Sequence, residues 1–120
     1  MVSQREIGEK AEAIAQQHIS KLGYEILDTN WYYGHLELDI VARDGEELVI
    51  VEVKSRSGIR YEHPSEAITN TKIKRIVEAA DAYIQEKNKE METRFDVITV
   101  IFIGQKFELE HFKDAFYPTL

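Results

Sequence analysis

Residues 37–54, ELDIVARDGEELVIVEVK, set Glu37, Asp39, Glu52 and Lys54 into two otherwise apolar runs joined by Asp44-Gly45. Asp-Gly between β-forming runs is a strong hairpin signal, and it predicts antiparallel strands near 37–43 and 46–54. A two-residue turn at Asp44-Gly45 sets Arg43 opposite Glu46 and Asp39 opposite Ile50, whereas a four-residue loop sets Asp39 opposite Glu52. Either even-length loop leaves Asp39 and Glu52 on one face, and a three-residue loop separates them. Alternation along a strand groups Glu37 with Asp39 and Glu52 with Lys54, and turns Leu38, Ile40, Val49, Val51 and Val53 the other way. Opposed positions lie ~5 Å apart at Cβ and diagonal ones about 7–8 Å, within reach of one ion held between two carboxylates.

Acids in such strands need a partner, because burying a carboxylate is costly unless it is paired, hydrogen-bonded or bound to a cation. Carboxylates with a backbone carbonyl suit Mg²⁺ or Mn²⁺, hard cations that keep several waters and take further ligands from phosphate. We read Asp39 and Glu52 as the metal-holding pair. Lys54 beside them would orient or help deprotonate a bound water, or meet the charge that builds on a phosphoryl oxygen. The chemistry implied is metal-assisted phosphodiester hydrolysis. The plain structural alternative makes Glu52 and Lys54 an exposed ion pair worth ~0–1 kcal/mol, with no ligand.

The 120 residues, 43% of them hydrophobic and two of them proline, suit one compact domain over 1–120. No apolar run approaches the ~18 residues of a membrane span, and MVSQREIGEK lacks the apolar stretch of a signal peptide, so the expected address is cytoplasmic and away from membranes. With no cysteine, disulfides and thiolate metal sites are excluded, and His18, His35, His63 and His111 show no zinc spacing. A net charge of −7 argues against an unspecific nucleic-acid coat, since phosphate affinity is built from lysine and arginine. Residues 54–75 depart from that balance. There Lys54, Arg56, Arg60, Lys72, Lys74 and Arg75 stand against Glu62 and Glu66, a local docking patch for a phosphate backbone or, equally, a solvated loop and helix face.

Ser3 with Glu6 forms a capping box ahead of Ile7, Ala11, Ile14, Ala15, Ile19 and Leu22 at helical spacing, which predicts a helix over 4–22. Glu9 falls opposite this stripe and Glu12 at its border, so Glu12 is the acid able to reach a site beside the sheet, unless it is an ordinary exposed acid. Gly23 ends the helix, and 24–33 reads as a strand whose Trp31, Tyr32 and Tyr33 are packing residues, with stacking on an unpaired base as the alternative. Residues 55–65, SRSGIRYEHPS, read as a loop leaving the site. Thr69 to Thr71 cap a second helix with the stripe Ile73, Ile76, Val77, Ala80, Tyr83 and Ile84. Lys72 lies in its first turn, where the helix dipole disfavours a cation; an external phosphate would compensate, with an ordinary surface lysine that needs no such help as the alternative. Phe95–Ile103 reads as a buried strand, Gly104-Gln105 as a turn, and 107–109 as a short hairpin partner. Phe112, Phe116 and Tyr117 are cover for an apolar edge or for a second copy of the chain, which keeps a homodimer open. The order α-β-β-β-α-β gives an α/β fold, a mixed sheet with an antiparallel meander flanked by helices.

An Asp on one strand followed by Glu-Xaa-Lys on the next resembles the PD-(D/E)xK, or restriction-endonuclease-like, nuclease superfamily, although the leading proline of that motif is absent. More closely, the chain resembles the small bacterial YraN-like family, related to archaeal Holliday-junction resolvases. The segments that carry this are AEAIA, GYEILDTNW, ELDIVA, VIVEVKSR, TKIKRIVEAADAY and RFDVITV, spread over most of residues 8–103. The resemblance implies a restriction-endonuclease-like core, a metal role for Asp39 and Glu52, a catalytic lysine at Lys54, and supporting roles for Glu37 and Glu12. Relatives often read Gly-Glu where this chain has Ala11-Glu12, and His35-Leu36 stands between Gly34 and Glu37. The function implied is a DNA-engaging, Mg²⁺- or Mn²⁺-dependent endonuclease-like protein, with branched DNA among its candidate substrates. The alternative is an inactive nucleic-acid-binding or protein-interaction module on the same scaffold.

Overall fold

The computed structural model describes residues 3–57 and 68–118. Helix α1 (Gln4–Lys21) starts where Ser3 Oγ accepts the Glu6 N–H at 3.1 Å, satisfying one of the amides that a helix start leaves without a partner. Ala11, Ala15 and Ile19 are fully buried along its stripe, but Leu22 is the C-cap and half exposed, so the stripe ends one turn earlier than expected. Gly23, at φ 92°, turns the chain into β1 (Glu25–Tyr33).

Gly34-His35 joins β1 to β2 (Leu36–Asp44), Gly45-Glu46 joins β2 to β3 (Glu47–Ser57), and Gly104-Gln105 joins β4 (Glu92–Ile103) to β5 (Lys106–Phe112). In each turn glycine takes the first loop position with φ of 60° or 61°, the place where a type II′ hairpin requires positive φ. The middle loop therefore begins at Gly45 rather than Asp44, and the ladder runs Asp44 with Glu47, Arg43 with Leu48 and Ile40 with Val51. This is the register expected of the four-residue loop. One further step along it sets Asp39 opposite Glu52.

The sheet order is β1-β2-β3-β4-β5, antiparallel throughout except for the parallel β3–β4 pair. That parallel pair is bridged by α2 (Asn70–Lys87), whose N-cap Thr69 accepts the Lys72 N–H at 3.2 Å. The α/β order is the expected one, with β5 longer than the short partner foreseen and β4 starting at Glu92 rather than Phe95. Ser55, Arg56 and Ser57 continue β3 where a loop was expected, and residues 58–65, with Arg60 and His63, lie outside the described residues.

The helices cover opposite faces. Ala11, Ala15 and Ile19 pack with Ile40, Ala42, Val49, Val51, Ile98 and Val100, whereas Ile76, Ala79, Ala80 and Tyr83 pack with Leu36, Leu38, Val41, Leu48, Ile50, Phe95 and Val97. The inner strands β3 and β4 are buried on both sides, so their sequences are nearly continuous apolar runs rather than alternating ones.

Leu38 packs on the α2 side and Ile40 on the α1 side, so the expected shared face of these two is corrected: β2 changes face at Asp39. The change is matched across the ladder, where Asn30 adopts φ 49° in the middle of β1 and its pairing with Asp39 is skipped. Asparagine is among the few residues that tolerate this conformation.

Trp31 packs edge-on against Tyr83 at 5.1 Å between ring centroids, and Tyr83 Oη donates to Asp28 Oδ2 at 2.7 Å. Tyr32 and Tyr33 are exposed, which corrects their reading as packing residues. They stand at the end of β1, the edge strand of the sheet. Phe112 and Phe116 do cover apolar surface, Phe116 stacking on Phe95 at 5.1 Å, while Tyr117 is exposed. No helix among the described residues is long and apolar enough to cross a membrane.

Candidate active site

The β2–β3 ladder ends at Ile40 and Val51, and the acids stand where the two strands part. Asp39 Oδ2 accepts the Val53 N–H at 2.9 Å, so a carboxylate meets a backbone donor just past the last paired residues of the ladder. Its side chain also shares a hydrogen bond with Glu52. Glu52 is 4% exposed, on the face covered by α2, and Lys72 Nζ lies 3.5 Å from its Oε1. From the α1 side Glu12 comes close enough to Asp39, Glu37 and Asn30 for each to act on its carboxyl. The Tyr32 hydroxyl in turn lies near Glu37.

This crowding of acids sets the protonation. Burial, then the neighbouring Asp39 charge, push the Glu52 carboxyl up to about 8, against the pull of Lys72 and Lys54. Burial also raises Asp39, while the Val53 N–H and the Glu52 hydrogen bond act the other way. Two acids in contact cannot both ionise without a counter-charge, and the directions put the shared proton on Glu52. Glu12 is pushed up to about 7, by burial first and then by Asp39 and Glu37.

A raised carboxyl stabilises the fold fully below its ordinary value of 4.5, and that stabilisation is lost as pH rises through the folded-state value. In chelator the protein is therefore expected to lose stability between about pH 4.5 and about pH 8, with Glu52 contributing on the order of a few kcal/mol. His18, lowered by burial and by His111, acts in the opposite sense below pH 6.5, so the informative quantity is the difference from Glu52→Gln. Denaturant unfolding from pH 5 to 8.5 should show a flatter profile for Glu52→Gln, and identical slopes would contradict the shared-proton arrangement.

Lys54 is half-buried and lines a groove of about 390 Å³ with Gln4, Ile7, Val53, Ser55 and Arg56. Its lateral neighbour on β4 is Thr99, 1% exposed, whose Oγ1 has no hydrogen-bond partner among the described residues. Of the basic residues singled out for phosphate, Arg56, Lys74 and Arg75 are exposed, and Lys72 is drawn instead to Glu52. Asn30, Lys72 and Thr99 are the members of this neighbourhood that strand patterning did not bring together. An asparagine inside an apolar strand was the available signal for the first, and a lysine against the helix dipole for the second.

A second polar cluster lies on the α1 face toward the β2–β3 turn. Arg94 spans Asp96, Asp44, Glu47 and Tyr24, and Asp96 reaches His111, which meets His18 at 3.1 Å.

The family model described as "Uncharacterised protein family UPF0102" matches residues 11–100, a span holding Glu12, Glu37, Asp39, Glu52, Lys54, Lys72 and Thr99. A UPF0102 protein of Bacteroides thetaiotaomicron is 47% identical over 100% of this chain and 99% of its own. One from Parabacteroides distasonis is 43% identical over 98% and 97% of the two chains, and one from Flavobacterium psychrophilum 38% over 98% of each.

Proposed function

The chain belongs to the uncharacterised protein family UPF0102, and from the geometry of its site we propose a DNA-binding, metal-dependent endonuclease-like activity that hydrolyses a phosphodiester bond. The observation that carries this reading is the contact of Asp39 with Glu52 where β2 and β3 part, with Lys54 two residues further along β3. We read these residues as a site of PD-(D/E)xK type.

The donor set fits Mg²⁺ or Mn²⁺. Two carboxylates are pressed together where burial and their mutual repulsion favour keeping one of them protonated, and a divalent cation is the partner that would let both ionise. Among the described residues no group of three His, Asp or Glu side chains is arranged around one ion, so Asp39 and Glu52 would hold it and water and a phosphate oxygen would complete its shell. When bound, such an ion supplies charge at the phosphoryl oxygen and acidifies a water. Asp39 is held in place by the Val53 N–H, so it enters the reaction already oriented. Lys54 faces the phosphate and steadies the charge that develops there, while the Thr99 hydroxyl beside it on β4 is buried and out of a phosphate's reach. Arg56, Lys74 and Arg75, with Arg60, would track the backbone of linear or branched DNA.

A net charge of −7 favours a second reading, a binding module without turnover. Incubating wild type and Glu52→Gln with linear duplex, single-stranded and four-way DNA in Mg²⁺, Mn²⁺ or chelator separates the two. Cleavage by wild type alone, and only with metal, supports the enzyme. Binding without cleavage in every condition supports the module.

A further inference from the structure

Lys72 occupies an odd position for a surface lysine. It sits in the first turn of α2, where the dipole repels a cation, yet its ammonium reaches across to an almost fully buried acid. The 3.5 Å separation is longer than a well-formed hydrogen bond, and the pair is lopsided: the Lys72 side chain is 38% exposed and that of Glu52 5%. Between the two lysines of the site, Lys72 acts more strongly than Lys54 on both Asp39 and Glu52. It therefore stands where the charge of a divalent ion would act, and an ion at the same oxygens would repel it. Its exposed stem gives it a way out to solvent.

We propose that Lys72 is the resident counter-ion of the Asp39–Glu52 pair, displaced from Glu52 when a divalent cation binds. This rests on the metal-site reading above. It assigns Lys72 a part distinct from that of Lys54: metal and ammonium compete for one carboxylate, which sets a threshold on metal binding and sends a positive charge outward as the site fills. A passive surface ion pair would do neither.

Calorimetry with MnCl₂ alone on wild type, Lys72→Gln and Lys54→Gln tests the competition in the full chain, with thermal melts to confirm folding. Lys72→Gln is expected to bind Mn²⁺ on the order of tenfold more tightly than wild type, the scale of one close charge–charge contact in a partly buried setting, and Lys54→Gln to change affinity less. Displacement itself is read by amine acylation and mass spectrometry: Mn²⁺ should speed labelling of Lys72 in wild type and leave it unchanged in Glu52→Gln. Measurable and equal Mn²⁺ affinity in wild type and Lys72→Gln, or labelling of Lys72 indifferent to Mn²⁺, overturns the counter-ion role while the metal site stands. No Mn²⁺ binding by any of the three proteins overturns both.

Discussion

Asp39→Asn is expected to lower Mn²⁺-dependent DNA cleavage by a factor on the order of 10³ and to leave DNA binding in chelator within about twofold of wild type. Asparagine is nearly isosteric, and its amide oxygen still accepts the Val53 N–H that holds this side chain at the strand fork. Its amide nitrogen can meet Glu52, so the local architecture persists and only the negative charge is removed. Losing one of two anionic ligands weakens the hold on a cation, whereas the phosphate contacts assigned to Arg56, Lys74 and Arg75 are exposed side chains that do not depend on Asp39. In chelator the variant should melt no lower than wild type, since neutralising one of two apposed buried acids relieves repulsion. Initial cleavage rates, paired with Mn²⁺ calorimetry and a melt, supply the check. Cleavage within tenfold of wild type in a folded Asp39→Asn protein would remove Asp39 from the chemistry.

The hairpin was legible because alternation and a turn glycine constrain few alternatives: any even loop joins Asp39 to Glu52, and β2 and β3 pair so that they touch. Both amphipathic stripes were legible for a related reason, since Ala11, Ala15 and Ile19 on one helix and Ile76, Ala80 and Tyr83 on the other repeat at helical spacing over several turns. What pattern reading loses is long-range and irregular. The face change at Asp39 needs Asn30 to adopt φ 49°, a local break in the two-residue period that alternation by construction cannot represent. Lys72 looked like a phosphate ligand because its helix was seen alone, and the parallel crossover is what carries it to Glu52. His18 and His111, dismissed for want of metal spacing, meet at 3.1 Å because β5 returns beside α1, a pairing across 93 residues that spacing rules do not address. Asp96 carried a visible signal that went unused. A carboxylate inside the apolar run Phe95–Ile101 poses the same question as Asp39, namely what compensates its burial.

The answer at Asp96 is Arg94, and Arg94→Met is expected to destabilise the protein by about 3–5 kcal/mol, the usual result of leaving a buried charge without its partner. Asp96 is 0% exposed, and Arg94 grips it with Nε to Oδ1 at 2.9 Å and Nη2 to Oδ2 at 3.1 Å. The same guanidinium reaches Asp44 at 3.1 Å, Glu47 at 3.0 Å and the Tyr24 hydroxyl at 2.6 Å, so one side chain ties β4 to the β2–β3 turn and to the start of β1. On its far side Asp96 binds His111 at 2.8 Å and the Asp114 N–H at 3.0 Å, which anchors β5 and the residues after it. Burial alone would raise this carboxyl, but His111, Arg94 and Asp114 together hold it below the usual range, so it is the ionised form that loses its partner. Met keeps most of the arginine stem's volume, which separates the charge effect from a cavity. Asp96→Asn in the Arg94→Met background should recover part of the loss, because the charge and its partner are then both absent. Denaturant unfolding decides it, and a single variant within about 1 kcal/mol of wild type would show the network to be dispensable. Asp96 pairs with Val51 and so lies only one ladder step from Glu52, but the cluster sits on the α1 face of the sheet and Glu52 on the α2 face. Below its melting temperature Arg94→Met should therefore bind Mn²⁺ as wild type does. That outcome would separate the bonds that hold the sheet together from the acids proposed to hold a cation.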